Sequence, residues 1–132
     1  MKFRYHEGNI TALKENQVFC FGSNLRGAHG KGAALYAKKH FGARQGNYFG
    51  YTGNAYAIPT KDENLKVLDL FEILQYVSKF TEVTHYADIY QYHVTQIGCG
   101  LAGYEPKDIA PMFRWCNPDN TIFDIAWKEY LE

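Results

Sequence analysis

Polar and apolar positions alternate over KFRYHE (residues 2–7), as in a strand with one buried face, whereas QVFCFG (17–22) is an apolar run suited to a strand buried on both faces. AALYAKKHF (33–41) is built of helix formers and runs into Gly42, a natural left-handed cap, which predicts a short helix. Residues 43–54 are rich in Gly, Tyr and Asn, and AYAIP (55–59) predicts a short strand stopped by Pro59. A longer helix is expected after Asp69. This residue can cap it with Glu72 three positions on, and Leu70, Ile73, Leu74, Val77 and Phe80 recur at helical spacing. YQYHVTQI (90–97) is a further strand. Pro106 suits the first turn of a helix through DIAPMFRW (108–115), which Pro111 should shorten or bend, and TIFDIAW (121–127) predicts a last strand. Strands alternating with helices imply an α/β sheet with helices on its faces. The 132 residues contain no repeat, linker or low-complexity stretch, so one domain spanning 1–132 is expected.

Two glycine-rich segments stand between a strand and a helix. The first, Gly98-x-Gly100-x-x-Gly103, has the spacing of a dinucleotide-binding turn and precedes an acid, Asp124, by about twenty residues. Only 29 residues follow Gly103, however, and two prolines interrupt the next helix, which suits a long dinucleotide site poorly. The second runs from Gly22 to Gly32. It is not a P-loop, because Leu25 stands where that motif needs glycine and Gly32 where it needs Ser or Thr. Glycines let backbone N–H groups approach an anion closely, and a helix N-terminus carries partial positive charge. If strands 17–22 and 90–97 are neighbours, the two loops form two walls of one cleft at the carboxyl ends of the strands, each able to cradle one phosphate of a diphosphate. The alternative is that the glycines serve tight turns and close packing only.

Charge narrows the ligand class. The chain is neutral overall, which gives no general reason to expect nucleic-acid affinity, yet residues 1–66 hold ten Lys/Arg against four Asp/Glu while 67–132 hold four against ten. The basic half is either one side of a solvated surface or the wall of a pocket for an anion. Three cysteines, Cys20, Cys99 and Cys116, lack metal-ligand spacing and fit free thiols in a reducing compartment. No segment has the ~20 apolar residues needed to span a bilayer, and a cytoplasmic location is expected.

Taken together, these motifs resemble the macrodomains, which bind ADP-ribose, and in particular the branch containing the terminal ADP-ribose protein glycohydrolase and small phage and bacterial macro-like proteins. The likeness covers nearly the whole chain. Gly8-Asn9-Ile10-Thr11 resembles the family's Gly-Asp-Ile-Thr, whose acid accepts from the adenine amino group; Asn9 would accept through its amide oxygen instead. HGKGAALYAKKHFG (29–42) resembles the loop and helix that hold the proximal ribose and a phosphate, and IGCGLAGY (97–104) resembles the second phosphate loop. The resemblance implies a three-layer α/β/α fold with a mixed central sheet, and a ligand site that includes Asn9, Ile10, Gly30, Lys31, Gly32, Gly98, Cys99, Gly100, Leu101, Ala102, Gly103 and Tyr104. It implies no cofactor. In that branch a lysine after a strand attacks the ribose anomeric carbon, and Thr60-Lys61 is similar to it; the aspartate that follows GCGL there is Ala102 here.

Each candidate carries a structural alternative. Lys61 is a nucleophile or phosphate contact, or an exposed strand-end lysine. His29 is a general acid or base on a ribose hydroxyl, or a surface residue. Asn24 binds the distal ribose or positions water, as the resemblance implies for the family's first-loop asparagine, or has no role toward the ligand. Cys99 is a thiolate favoured by backbone amides, or packing. Tyr104 stacks on ribose or adenine, or packs at the rim of the core. His6, His40, His85 and His93 form no ligand set. The resemblance therefore implies ADP-ribose, or an ADP-ribosylated protein, nucleic acid or metabolite, as partner. The implied activity is removal of ADP-ribosyl groups, with a non-catalytic reader and an ADP-ribose 1″-phosphate phosphatase as alternatives.

Overall fold

A computed structural model describes residues 2–132. Six strands, β1 (Arg4–His6), β2 (Gln17–Asn24), β3 (Gly50–Thr52), β4 (Ala55–Lys61), β5 (Gln91–Val94) and β6 (Thr121–Asp124), form one sheet in the order β1-β6-β5-β2-β4-β3. All neighbours are parallel except β3, which runs antiparallel to β4, so the sheet is mixed. Helices α1 (Gly32–His40), α2 (Leu70–Tyr86), α3 (Pro106–Ile109) and α4 (Lys128–Leu131) complete the chain.

The period-2 pattern of β2 and β4 divides the interior between the two faces. Val18, Cys20, Tyr56 and Ile58 point into the larger core with Ile73, Val77 and Phe80 of α2 and Ile109 of α3. Phe19, Phe21, Ala55 and Ala57 point the other way, against Ala34 and Ala37 of α1. Both faces are covered, which is why β2 reads as an unbroken apolar run. Phe80 anchors the larger core, its ring set against Tyr56, Tyr92 and Phe113 at centroid distances of 5.1, 5.5 and 6.0 Å.

The expected cap of α2 is present: the Asp69 carboxylate accepts from the backbone N–H of Glu72 at 2.8 Å. Several boundaries differ from the sequence expectation, each for a local reason. Pro59 does not stop its strand, because the β3 ladder ends at Ala57 and no N–H is required of residue 59 on that side. The β5 ladder stops at Val94. There both the N–H and the hydroxyl of Thr95 turn to the carbonyl of Cys20, midway along β2, at 3.2 and 2.8 Å. Pro111 converts α3 into a 3₁₀ turn over Ala110–Phe113. TIFDIAW divides after Asp124, whose carboxylate accepts from the N–H of Ala126 at 2.9 Å and starts a 3₁₀ turn leading to α4. The short strand β3 was hidden in the Gly/Tyr/Asn segment.

His93, opposite Ile122 in the β5–β6 ladder, has both ring nitrogens buried without a hydrogen-bond partner. Burial, reinforced by His6 and Arg4, depresses its imidazole to about 4. A histidine held neutral in the fold takes up its proton more readily when unfolded. Its contribution is therefore fully present above pH 6.5 and is lost as the pH falls from there towards 4. Urea titrations should show stability declining by about 2 kcal/mol between pH 7 and pH 4 from this residue. His93→Gln should flatten that part of the profile, and an unaltered slope would show that His93 is not its source.

Candidate functional site

Because the strands from β1 to β4 are parallel, the carboxyl ends of β1, β6, β5, β2 and β4 share one edge of the sheet. β2 and β5 are adjacent, with Gln17–Cys20 in register with Gln91–Val94. After β2 the chain passes to α1 on one face, and after β5 to α3 on the other. No connection covers the crevice between them, the place where open α/β sheets bind ligands. It holds a cleft of about 570 Å³.

Both glycine loops line this cleft. Gly22, Asn24, Ala28, Gly30, Lys31 and Gly32 form one wall, Gly98, Gly100, Leu101 and Ala102 the other, and Thr60, Lys61 and Leu65 close the β4 end. The walls meet: a Cβ on Gly22 would lie 3.6 Å from the N of Gly98, and one on Gly32 would lie 3.3 Å from Cδ1 of Leu101. At Gly30 and Gly100 a Cβ would meet nothing within 4 Å, so the backbone there faces open space. Helix α1 starts from Lys31 with no side-chain cap and no acid in its first turn, which leaves its first N–H groups unoccupied by side chains. The lining carries two lysines and no carboxylate. Glycine backbone, an uncapped helix N-terminus and cationic side chains are the features that suit an anion.

The loops are held in shape by contacts within the protein. The amide of Asn24 spans its own loop, Oδ1 accepting from the N–H of Ala28 at 3.0 Å and Nδ2 donating to its carbonyl at 2.9 Å. Gly27 has φ +73 and lies so close to Gly46 that a Cβ would overlap its backbone; the Gly46 N–H donates to the Gly27 carbonyl at 2.8 Å. The Asp62 carboxylate accepts from the N–H groups of Asn64 and Lys66, at 2.8 and 2.9 Å, so it organises the turn after β4 rather than pairing with Lys61. That turn holds Leu65 at φ +63, 45% exposed on the cleft rim.

Some expected residues stand elsewhere. His29 is fully buried, its ring edge-on to Phe21 at 5.4 Å with neither nitrogen hydrogen-bonded, and burial lowers its pKa. It is neither a surface residue nor part of the cleft lining. Cys99 points into the larger core; burial pushes its thiol up to about 11, the opposite of an activated thiolate. Tyr104 packs against the same core and donates to the carbonyl of Leu68 at 2.8 Å, tying the second glycine loop to the end of the β4–α2 turn. Gly103, at φ +86, completes a turn through its N–H to the Gly100 carbonyl at 3.0 Å and does not line the cleft. Asn9 is exposed and Ile10 packs beside α1; neither forms the cleft wall. Sequence reasoning missed Ser23, Leu65, Thr95 and Gln96, which line the cleft. Ser23, Thr95 and Gln96 directly flank the glycine motifs at strand ends, a usable signal, whereas Leu65 enters through a turn with no motif. Among the described residues no helix is long and apolar enough to cross a membrane, and no group of three or more His, Cys, Asp or Glu is arranged to hold a metal.

No family model matches this sequence, and no curated protein matches it. Among solved structures, the macrodomain of Mycobacterium tuberculosis DarG is similar, with a TM-score of 0.68 and 19% identity over 93% of this chain and 97% of that one. The likeness is one of fold: this chain has the macrodomain fold.

The glycines of the first loop should separate by role. Gly27→Ala meets backbone at a left-handed φ and should cost at least about 2 kcal/mol in urea unfolding. Gly30→Ala projects into open space at an ordinary φ and should stay within about 0.5 kcal/mol. Equal costs at both positions would refute this division.

Proposed function

We propose that the cleft binds ADP-ribose, free or as the terminal group of a conjugate, and that the protein hydrolyses the bond joining it to the conjugate. The observation that carries this reading is the meeting of two glycine loops at the β2–β5 crevice of a macrodomain fold, in a cleft with lysines and no carboxylate. A diphosphate seats one phosphate on the N-terminal turn of α1, at Gly30–Gly32, and the other on Gly98–Ala102. The distal ribose then lies towards Lys61, and the nucleoside towards β6 and the Asn9 loop.

Lys61 ends β4 on the cleft wall, with no ion pair among the described residues. In its neutral form its Nζ attacks the anomeric carbon of the distal ribose. The N–C bond forms as the bond to the conjugate breaks, and the leaving group takes the electron pair and the proton shed by the amine. Water then releases ADP-ribose and restores the amine. Asn24, fixed by Ala28, keeps one amide N–H for a ribose hydroxyl or for that water. His29 supports the first loop from inside rather than exchanging protons with the ligand.

A second reading, a reader that binds without turnover, rests on one feature: with Ala102 in the second loop, the cleft offers no carboxylate to take a proton. Calorimetry with ADP-ribose tests the shared premise, and release of ADP-ribose from modified protein and nucleic acid separates the readings. Binding with every conjugate left intact establishes the reader. Gly100→Val fills the second phosphate position and should weaken ADP-ribose by more than about tenfold; unchanged affinity would remove that loop from the site. Lys61→Ala should reduce release by orders of magnitude while affinity falls less than about tenfold. Release at the wild-type rate would take Lys61 out of the chemistry.

A further inference from the structure

The cleft has a polar side chain whose orientation is fixed from behind. Gln96, exposed on the wall that follows β5, donates through Nε2 to Oδ2 of Asp124 at 3.3 Å. Asp124 ends β6, is only 8% exposed, and uses its other oxygen to accept from the N–H of Ala126. Gly8, at φ +93, brings the Asn9 loop down onto this carboxylate, so closely that a Cβ there would lie 3.0 Å from Oδ2. The order in space is therefore Asn9 loop, Asp124, Gln96, then the glycine loops.

An ionised carboxylate only accepts hydrogen bonds, so the amide group facing Asp124 has to be the NH₂. Gln96 cannot turn over without setting its carbonyl oxygen against a carboxylate oxygen. Its Oε1 makes no hydrogen bond within the described residues, and it is left as an acceptor of defined position on the cleft wall. Asn9 differs: it is exposed, its side chain makes no hydrogen bond among the described residues, and either end of its amide can face a ligand. A freely turning amide does not discriminate between a donor and an acceptor; a fixed one does.

We propose that Gln96, positioned by Asp124, is a selectivity determinant of the cleft that accepts a hydrogen bond from a donor on the nucleoside half of the ligand. This rests on the ADP-ribose reading. Two donors share the required chemistry, the exocyclic amino group of the base and the 2′-hydroxyl of the adjoining ribose, and both lie on the side of the diphosphate away from Lys61. The specificity arises because a ligand lacking the donor leaves a fixed acceptor unpaired on formation of the complex.

Calorimetry with ADP-ribose, inosine diphosphate ribose and 2′-deoxy-ADP-ribose tests this. Wild-type protein should prefer ADP-ribose to one of the two analogues by about tenfold, and the analogue rejected identifies the donor. Gln96→Leu should bind ADP-ribose and that analogue within about twofold of each other. Asp124→Asn retains a side-chain oxygen for the Ala126 N–H but frees the Gln96 amide to turn, so it should lower the preference while leaving the unfolding midpoint near wild type. A merely structural role for Asp124 would move stability and not the ratio. Should Gln96→Leu fail to fold, Asp124→Asn decides alone. Tight ADP-ribose binding with no preference in the wild type, or with the preference intact in both variants, overturns the inference and leaves the cleft assignment standing. Failure of the wild type to bind ADP-ribose overturns both.

Discussion

The parallel pairing of β2 with β5 is the constraint on which the site depends. Four residue pairs, Gln17–Cys20 against Gln91–Val94, join segments more than seventy positions apart in sequence. From this seam the chain departs in opposite senses, β2 through α1 towards β4 and β5 through α3 towards β6, on opposite faces. The carboxyl ends of both strands are consequently left bare, and the loops that leave them diverge. A cleft follows from topology before any side chain is chosen. The side chains then exploit it, Thr95 bending the end of β5 across Cys20 so that Gly98 arrives beside Gly22.

What lines the cleft is chiefly main chain, and main chain recognises a ligand only if it is already in place. Backbone N–H groups in mobile loops would bind water as readily as phosphate, and ordering them would cost about 1–2 kcal/mol per residue. Here the ordering is completed on folding. Asn24 clasps Ala28, Gly27 lies against Gly46, and Tyr104 ties the second loop to Leu68. Asn24 and Tyr104, which sequence reasoning associated with ligand, thus act on the shape of the loops. The buried His29 belongs with them. Its imidazole is buried behind the first loop with two unpaired nitrogens, and burial lowers its pKa.

The alternation of strand and helix was legible in the sequence because β2 is a continuous apolar run and α2 carries a helical period and a capping pair that the structure reproduces. The pairing of β2 with β5 was legible only as a condition, since nothing in either apolar run specifies its neighbour. Less visible were features decided by tertiary context. Pro59 sits inside a strand because β3 ends two residues short of it, and β3 itself is a three-residue edge in a segment whose composition suggests a loop. Within the glycine motifs, spacing indicated which backbone faces the cleft but not where the intervening side chains go. In such a loop successive side chains leave in different directions, so Leu101 reaches the cleft while Cys99 enters the core. Gln96 escaped notice for the converse reason: its significance comes from Asp124, 28 positions away, and from a bend at Thr95 that no local pattern encodes.

The absence of a carboxylate from the cleft has two opposed consequences under the proposed function. An acid at position 102 would stand in the loop assigned to a phosphate, and like charges at that range repel whatever the surrounding geometry. With alanine there, Lys31 and Lys61 act on the diphosphate without a competing anion, and binding is strengthened. The same substitution removes a base that could take the proton from Lys61, so the neutral amine must form by exchange with water, in a cleft whose ligand favours the protonated form. Affinity and turnover therefore pull against each other at a single position. Under the proposed function such a cleft holds its product well and makes it slowly, so the charge at residue 102 sets the balance between the hydrolase reading and the reader reading.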